Sequence, residues 1–313
     1  MKKNLSFFSL LLSVTLILVS GCSQYSPPKR YALVYGISKY IDSFDEGQDI
    51  NLTYTDDDAI SVASFLAERG YSVTLRTNKD ASKAQFEADI NMLNGEVNEN
   101  DLVLFYYSGH GAQTSDVKPA LKGIEPPDRD PDDEWIFLYG SIYYDTNGSL
   151  VLDSDKTYTD DSLAEELKVL NNNKKVVILD SCNSGGFIGN YLEADRVPQT
   201  ITDKQLSMNE ILKKAIDLYV NYDSNRSSSP DIPPDDAIVI SAAGESEFSY
   251  ESSSIGHGIF TYYLLQADPN ADLNGDGFVT TIELYSFTKA AIELSRYPFS
   301  PHVSGGPEDF ILF

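Results

Sequence analysis

Short apolar runs recur along the chain, and segments with the spacing of amphipathic helices lie between them. The predicted strands cover residues 31–37, 71–76, 101–111, 134–140, 176–180 and 237–243. The predicted helices cover residues 56–70, 82–93, 160–170, 205–220, 257–267 and 281–295. This alternation is typical of an α/β protein in which helices cover both faces of a mostly parallel sheet. Because strands lie at similar spacing on both sides of the Ser- and Pro-rich linker 221–236, we interpret the linker as a loop within one domain.

The N-terminus has the pattern of an export signal: two lysines, a long apolar stretch, and small residues before Cys22. The ending Val19-Ser20-Gly21-Cys22 resembles the lipobox of bacterial lipoproteins. The resemblance implies that residues 1–21 are removed, that Cys22 is lipidated, and that residues 22–30 form a tether. It predicts an exported, membrane-anchored lipoprotein of the bacterial cell envelope. An ordinary cleaved signal and an uncleaved N-terminal membrane helix are the alternatives.

The chain of 313 residues carries a formal net charge of −25. Such an acidic chain disfavours nucleic acid and anionic membrane surfaces as partners of its folded part, because like charges repel. It favours cationic partners instead, such as calcium ions or basic peptides.

Two predicted strands run into reactive side chains with glycines beside them. His110 lies in the segment YYSGHG, and Cys182 follows the strand at 176–180 in the segment DSCNSGG. Functional groups gather at the carboxyl ends of strands in such sheets, and an imidazole there can take the proton of a thiol. The chain has two cysteines, so Cys182 has no disulfide partner if Cys22 carries lipid. A buried structural cysteine and a hydrogen-bonded strand-end histidine are the alternatives.

These segments resemble the histidine and cysteine motifs of the caspase-like superfamily of cysteine peptidases, in its bacterial metacaspase-like branch. The segments LTYTDDDA and GIFTYYLL also resemble that family, and the likeness covers residues 31–313. It implies a caspase-like fold with a six-stranded, mostly parallel sheet flanked by helices. It also implies a catalytic dyad of His110 and Cys182, with an oxyanion hole formed by the backbone N–H groups of Gly111 and Cys182. The segment CNSGGFIGN lacks the aspartate with which many metacaspases hold an activating calcium ion.

The resemblance also implies a class of substrate. Metacaspases hold an Arg or Lys side chain in an acidic pocket, and the matching positions here are Asp58 and Asp180, with Ser108 beside them. Two carboxylates pair well with a guanidinium group and attract an ammonium group. A helix N-terminal cap is the alternative role for Asp58, and a strand-end hydrogen bond is the alternative for Asp180.

Residues 272–283, DLNGDGFVTTIE, match the calcium-binding loop of an EF-hand, with Gly277 at its sharp turn. The expected ligands are Asp272, Asn274, Asp276, Phe278 through its carbonyl, Thr280 and Glu283. We expect calcium to stabilise this part of the chain rather than to trigger catalysis. The acidic stretch 125–134 is interpreted as a solvated loop, with a second calcium site as the alternative.

The sequence thus predicts a lipid-anchored cysteine endopeptidase that binds calcium and cleaves peptides or proteins after Arg or Lys, with no nucleic-acid partner. The alternative is a catalytically silent, calcium-binding surface protein that uses the same fold for interaction. A thiol redox sensor is disfavoured because no resolving cysteine is present. His257 and His302 are disfavoured as the catalytic base because neither ends a predicted buried strand. Arg226, in the linker, is a candidate for self-cleavage.

Overall fold

The computed structural model describes residues 27–41, 50–113, 134–181, 207–222, 237–244, 247–304 and 309–313. The strands are β1 Arg30–Gly36, β2 Ser72–Thr77, β3 Leu102–Ser108, β4 Gly111–Gln113, β5 Glu134–Phe137, β6 Ile142–Tyr144, β7 Leu150–Leu152, β8 Thr157–Thr159, β9 Lys174–Asp180, β10 Ile238–Ser241, β11 Glu251–Ser252, β12 His257–Gly258 and β13 His302–Ser304. The helices are α1 Thr55–Glu68, α2 Lys83–Asn94, α3 Asp160–Leu167, α4 Met208–Asn221, α5 Ile259–Leu265, α6 Ala267–Asn270 and α7 Thr281–Ser295.

The central sheet has six strands in the order β13-β10-β9-β3-β1-β2. All neighbouring strands in it run parallel except β13, which is antiparallel to β10. The predicted six-stranded, mostly parallel sheet is therefore confirmed. Strands β3 and β9 pair in a register that sets Ser108 opposite Asp180. Because parallel strands end at the same edge of a sheet, this pairing brings the ends of β3 and β9 together at the edge where ligands bind in such folds.

Two apolar cores cover the two faces of the sheet, which explains why the inner strands β1, β3 and β9 contain apolar runs without alternation. On one face the strands pack against α1, α5 and α7, with Tyr106 and Phe260 fully buried. On the other face they pack against α2 and α3, with Tyr35 and Phe86 fully buried. Residues of one strand contribute to both cores because successive side chains point to opposite faces.

Several predicted elements differ from those in the structure. The helix predicted at 257–267 begins at Ile259 instead, because His257 and Gly258 form β12, a two-residue strand that pairs with β11. The strand predicted at 134–140 ends at Phe137 and belongs to a separate sheet with β4 and β8. Short strands such as these offer too few residues for a periodicity to be read from the sequence.

Helix α7 begins where the sequence predicts, because its N-terminus carries a strong local signal. Thr280 is its N-cap and accepts from the backbone N–H of Glu283, whose carboxylate accepts in return from the backbone N–H of Thr280. This reciprocal capping box satisfies two backbone donors at the start of the helix. Among the described residues, no helix combines the length and apolar character needed to cross a membrane.

Candidate active site

His110 lies just beyond the end of β3 and is held on both sides by tyrosines. Its backbone N–H donates to Tyr40 Oη at 2.8 Å, and Tyr107 Oη donates to its carbonyl at 2.8 Å. The Tyr40 ring also packs against the imidazole, with the ring centroids 4.7 Å apart. Both tyrosines are buried, so the position of the His110 backbone is fixed by groups that have little freedom to move.

The imidazole of His110 is oriented through its Nε2 atom, which lies 2.7 Å from the backbone carbonyl oxygen of Ile50. A carbonyl oxygen only accepts, so Nε2 carries the hydrogen of this bond. In the neutral ring, Nδ1 is then the unprotonated, basic nitrogen. The fold thereby selects the tautomer in which Nδ1 can receive a proton.

The contacts around Gly109 explain why a glycine must precede His110. A Cβ atom at this position would lie 2.5 Å from Tyr107 Oη and 2.6 Å from Tyr40 Oη, far inside contact distance. The backbone N–H of Gly109 also donates to the backbone carbonyl of Asp180 at 3.2 Å. This bond ties the end of β3 to the end of β9, one residue before His110 and two before position 182.

Cys182 itself lies outside the described residues, and so do Asn183, Cys22 and Arg226 and most of the acidic stretch 125–134. The distance from His110 to Cys182 is therefore not described, and the dyad stays a prediction. Ser181, directly before the cysteine, is buried at the edge of the sheet where β3 and β9 end. Gly111 is the first residue of β4, where it pairs with Ile136, and its role in an oxyanion hole stays a prediction.

Asp180, at the end of β9, is almost fully buried and accepts three hydrogen bonds. Its Oδ1 accepts from Ser249 Oγ at 2.6 Å, and its Oδ2 accepts from Thr261 Oγ1 at 2.6 Å and from Thr261 N at 3.2 Å. Burial, together with the nearby charge of Asp58, raises the pKa of Asp180 to about 6. The hydrogen bonds oppose this rise, because they favour the ionised form.

Asp58, in the first turn of α1, is completely buried. Its carboxylate accepts from Gly258 N at 3.0 and 3.2 Å and from Ser108 Oγ at 3.4 Å, and its Oδ1 lies 2.7 Å from His257 Nδ1. The N-cap residue of α1 is Tyr54 rather than Asp58, so Asp58 does not have the alternative role of a helix cap. Burial raises the pKa of Asp58, against the opposing effect of its hydrogen bonds.

The two carboxylates converge at Gly258. A Cβ atom on Gly258 would lie 2.8 Å from both Asp58 Oδ2 and Asp180 Oδ2, so a glycine is the residue that leaves room for both. They line one pocket that is partly open to solvent. The other lining residues are Leu52, Thr55, Ser108, Gly109, Ser181, Ser249, Tyr250, Glu251 and Gly258. This pocket reaches the strand end that leads into Cys182.

Three side chains that contact the two carboxylates were not predicted to do so from the sequence. Ser249 and Thr261 hold Asp180, and His257 holds Asp58. Thr261 lies in the segment GIFTYYLL, which carried part of the family resemblance, but no local pattern assigned it a partner. His302, by contrast, lies on the edge strand β13, with Nε2 at 3.9 Å from a Glu247 oxygen.

The segment 272–283 folds as a tight loop. Gly277 has a positive φ of 89°, as the sharp turn of a calcium loop requires, and the Asp272 carboxylate accepts from the backbone N–H groups of Gly275, Asp276 and Gly277. Glu283 is buried, and its Oε1 accepts from Leu273 N and Asn274 N. Within the described ranges, no three His, Cys, Asp or Glu side chains come close enough together to hold a metal ion. The oxygen atoms of this loop are of the kind that calcium prefers. In the structure, however, the Asp272 and Glu283 carboxylates accept hydrogen bonds from backbone N–H groups of the loop.

Comparisons with known proteins agree with this architecture. Residues 29–272 match the family model of the caspase domain. The structure is similar to that of protein GSU0716 from Geobacter sulfurreducens, with a TM-score of 0.55 and 22% identity over 90% of this chain and 95% of that one. It is also similar to caspase-1 from Spodoptera frugiperda, with a TM-score of 0.50 and 15% identity over 91% of this chain and 90% of that one.

No curated protein matches the sequence. At these identities the structural likenesses show the fold alone, and the family model carries the assignment. Its match spans well over half of the chain, so the protein belongs to the caspase-domain family of cysteine peptidases.

Proposed function

We propose that the protein is a cysteine endopeptidase that cleaves peptide bonds after Arg or Lys. The observation that supports this most directly is the pair of buried carboxylates, Asp58 and Asp180, which converge in one pocket at the end of β9. Two buried carboxylates close together are unfavourable when both are ionised, because both lose their hydration and repel each other. A guanidinium or ammonium group entering the pocket relieves that repulsion, and Ser108 lines the same space.

The chemistry assigns one step to each residue. Nδ1 of His110 takes the thiol proton of Cys182, and the sulfur attacks the scissile carbonyl carbon to form a C–S bond and a tetrahedral oxyanion. The backbone N–H groups of Gly111 and Cys182 donate to that oxyanion. The C–N bond then breaks as His110 gives its proton to the leaving amine. Water then attacks the thioester carbonyl as His110 takes one of its protons, the C–S bond breaks to release the acid, and His110 returns the proton to the sulfur.

The test is the hydrolysis of fluorogenic peptides that end in Arg, Lys or Asp by the purified full-length protein in detergent. We expect turnover of the Arg and Lys peptides, no turnover of the Asp peptide, and complete loss of activity in Cys182→Ala. Asp58→Asn and Asp180→Asn should retain the fold but raise KM for both basic peptides. If no peptide is cleaved under any condition, the catalytically silent binding protein becomes the better interpretation.

We further propose that calcium binds the loop 272–283 and stabilises the C-terminal half of the domain. The ligands would be Asp272, Asn274, Asp276, Phe278, Thr280 and Glu283, whose oxygen atoms suit a hard divalent cation. Binding would require the carboxylates to exchange backbone N–H donors for the ion. Isothermal calorimetry with calcium chloride tests this, with Asp276→Ala as the variant that should lose binding and magnesium as the competing ion.

We also propose that Cys22 carries a lipid that holds the protein on the cell envelope. The support is the lipobox-like sequence at residues 19–22. Metabolic labelling with a fatty-acid analogue should mark the wild type and leave Cys22→Ala unmarked. A denaturing gel of the wild type beside the Arg226→Ala variant shows whether the protein cleaves its own linker.

A further inference from the structure

His257 is a titratable side chain in contact with Asp58 that the proposed mechanism leaves without a role. It begins β12, and Gly256 before it has a positive φ of 70°, which lets the short hairpin turn back towards α1. The hairpin carries His257 Nδ1 to 2.7 Å from Asp58 Oδ1, across 199 residues of sequence. The side chain is 23% exposed, whereas the carboxylate that it contacts is completely buried.

The contact with His257 holds the Asp58 carboxylate through its Oδ1 atom. His257 Nδ1 contacts Oδ1, whereas the Gly258 N–H donates to both oxygens and Ser108 Oγ donates to Oδ2. Oδ2 is the oxygen that, like Asp180 Oδ2, borders the space beside Gly258. Because a hydrogen bond to a buried ion is stronger than one between neutral groups, His257 contributes substantially to keeping Asp58 in this rotamer. It therefore positions a substrate-binding group without touching the scissile bond.

The same contact sets the charge of the pocket. The hydrogen bond to Asp58 and the charge of that carboxylate raise the pKa of His257, and burial raises the pKa of Asp58. The pair consequently holds one proton to higher pH than a free imidazole does. The pair is electrically neutral while the proton is bound, whether the proton lies on His257 or on Asp58. Loss of the proton gives the pair one negative charge, which adds to that of Asp180.

The groups that face His257 define what else titrates near it. Asp58 and Asp57 approach from α1, and both raise the pKa of His257. Asp180 lies behind Asp58, and its own titration takes place at about pH 6. Glu251, on the paired strand β11, is engaged by the backbone N–H groups of Thr53 and Tyr54.

We propose that His257 is a specificity-determining residue of the acidic pocket: it positions Asp58, and release of its proton raises the affinity for a basic substrate side chain. This inference rests on the proposed endopeptidase function. One additional unit charge near the bound guanidinium lowers KM for an Arg peptide by about fivefold as the pair deprotonates. The corresponding kcat should be unaffected, because the proposed mechanism gives His257 no part in bond making or proton transfer.

The first experiment compares KM and kcat for an Arg peptide across a pH series in the wild type, His257→Asn, His257→Ala and His302→Asn. Asparagine keeps a donor for Asp58 but cannot titrate, so His257→Asn should keep a low KM and lose the alkaline fall in KM. His257→Ala removes the donor and should raise KM roughly 10- to 100-fold. His302→Asn replaces a histidine outside the pocket and should follow the wild type throughout.

The second experiment separates this inference from the proposed function. In Cys182→Ala protein, the His257 ring signals in NMR spectra are assigned with the His257→Asn and His302→Asn variants. Binding is reciprocal, so N-acetyl-arginine amide should lower the pKa of His257, and the neutral N-acetyl-citrulline amide should leave it unchanged. If the wild type cleaves Arg peptides but His257→Asn keeps the full pH dependence of KM, the role of His257 is overturned and the peptidase stands. If the wild type cleaves no peptide and the arginine amide does not move His257, both are overturned.

Discussion

Gly258 is the position at which a single methyl group should block the pocket without disturbing the backbone. Gly258 has φ −59° and ψ 138°, a conformation open to any L-residue, so Gly258→Ala introduces no backbone strain. The new Cβ would lie 2.8 Å from Asp58 Oδ2 and 2.8 Å from Asp180 Oδ2, closer than the 3.0 Å below which something must shift. Both oxygens belong to buried, hydrogen-bonded carboxylates, so neither can move without losing bonds.

Two consequences follow, and they are measured separately. Overpacking of a filled site costs about 1 to 3 kcal/mol of stability, which lowers the midpoint of thermal unfolding. Displacement of one carboxylate removes a charge-assisted contact with the bound side chain, which corresponds to a rise in KM for Arg peptides of roughly 10- to 150-fold. The value of kcat should change much less, because the proposed roles of His110 and Cys182 do not involve Gly258.

The control is Gly256→Ala, in the same hairpin. Gly256 has a positive φ of 70°, and no heavy atom of the described residues lies within 4 Å of the place that a Cβ would take. An alanine there is therefore strained without meeting any described neighbour. It should lower stability by about 1 kcal/mol and leave KM unchanged. If Gly258→Ala keeps a wild-type KM while it is equally destabilised, the two carboxylates do not form the substrate pocket, and the reasoning is refuted.

Two further predictions concern the pocket and the histidine. Asp180→Asn should be more stable than the wild type above about pH 6, by roughly 1 to 3 kcal/mol, and lose that advantage below about pH 4. The raised pKa means that the folded state binds the Asp180 proton more tightly than the unfolded state, so ionisation of Asp180 lowers the stability of the wild type as the pH rises. Denaturant titrations at several pH values measure the stability difference between the two proteins, and a difference that does not change with pH would contradict this prediction. Tyr40→Phe removes the hydroxyl that accepts from His110 N and should lower kcat about tenfold at an unchanged KM. Tyr71→Phe, which removes a buried hydroxyl bonded to the Leu312 carbonyl far from the site, is its control and should reduce stability without changing kcat.

The sequence determined the sheet and its helices through local chemistry. Runs such as residues 102–107 and 176–179 are apolar on both faces because helices cover both sides of the sheet. The start of α7 is predictable because Thr280 and Glu283 lie three residues apart and cap one another. Such signals act within a few residues, so they can be read without knowledge of the fold.

Local sequence patterns could not predict the short strands or the side chains that contact Asp58 and Asp180. Strands β11 and β12 have two residues each, and their pairing depends on a turn at Gly256 rather than on a periodic pattern. Ser249 and His257 lie 69 and 199 residues from the aspartates that they contact. No local preference encodes contacts over such distances.

The sequence by itself determined the α/β architecture and indicated that His110 follows a buried strand, because hydrophobic burial and capping are local properties of the chain. The family resemblance named Asp58 and Asp180 as residues of one acidic pocket, and the structure places both in the lining of one pocket. The tertiary structure alone decided that Gly258 leaves space for both, and that His257 lies within hydrogen-bond distance of Asp58. The order of the strands and the path of the β11–β12 hairpin bring these groups together. Their pKa values are consequences of that shared burial, which arises only when the chain is folded.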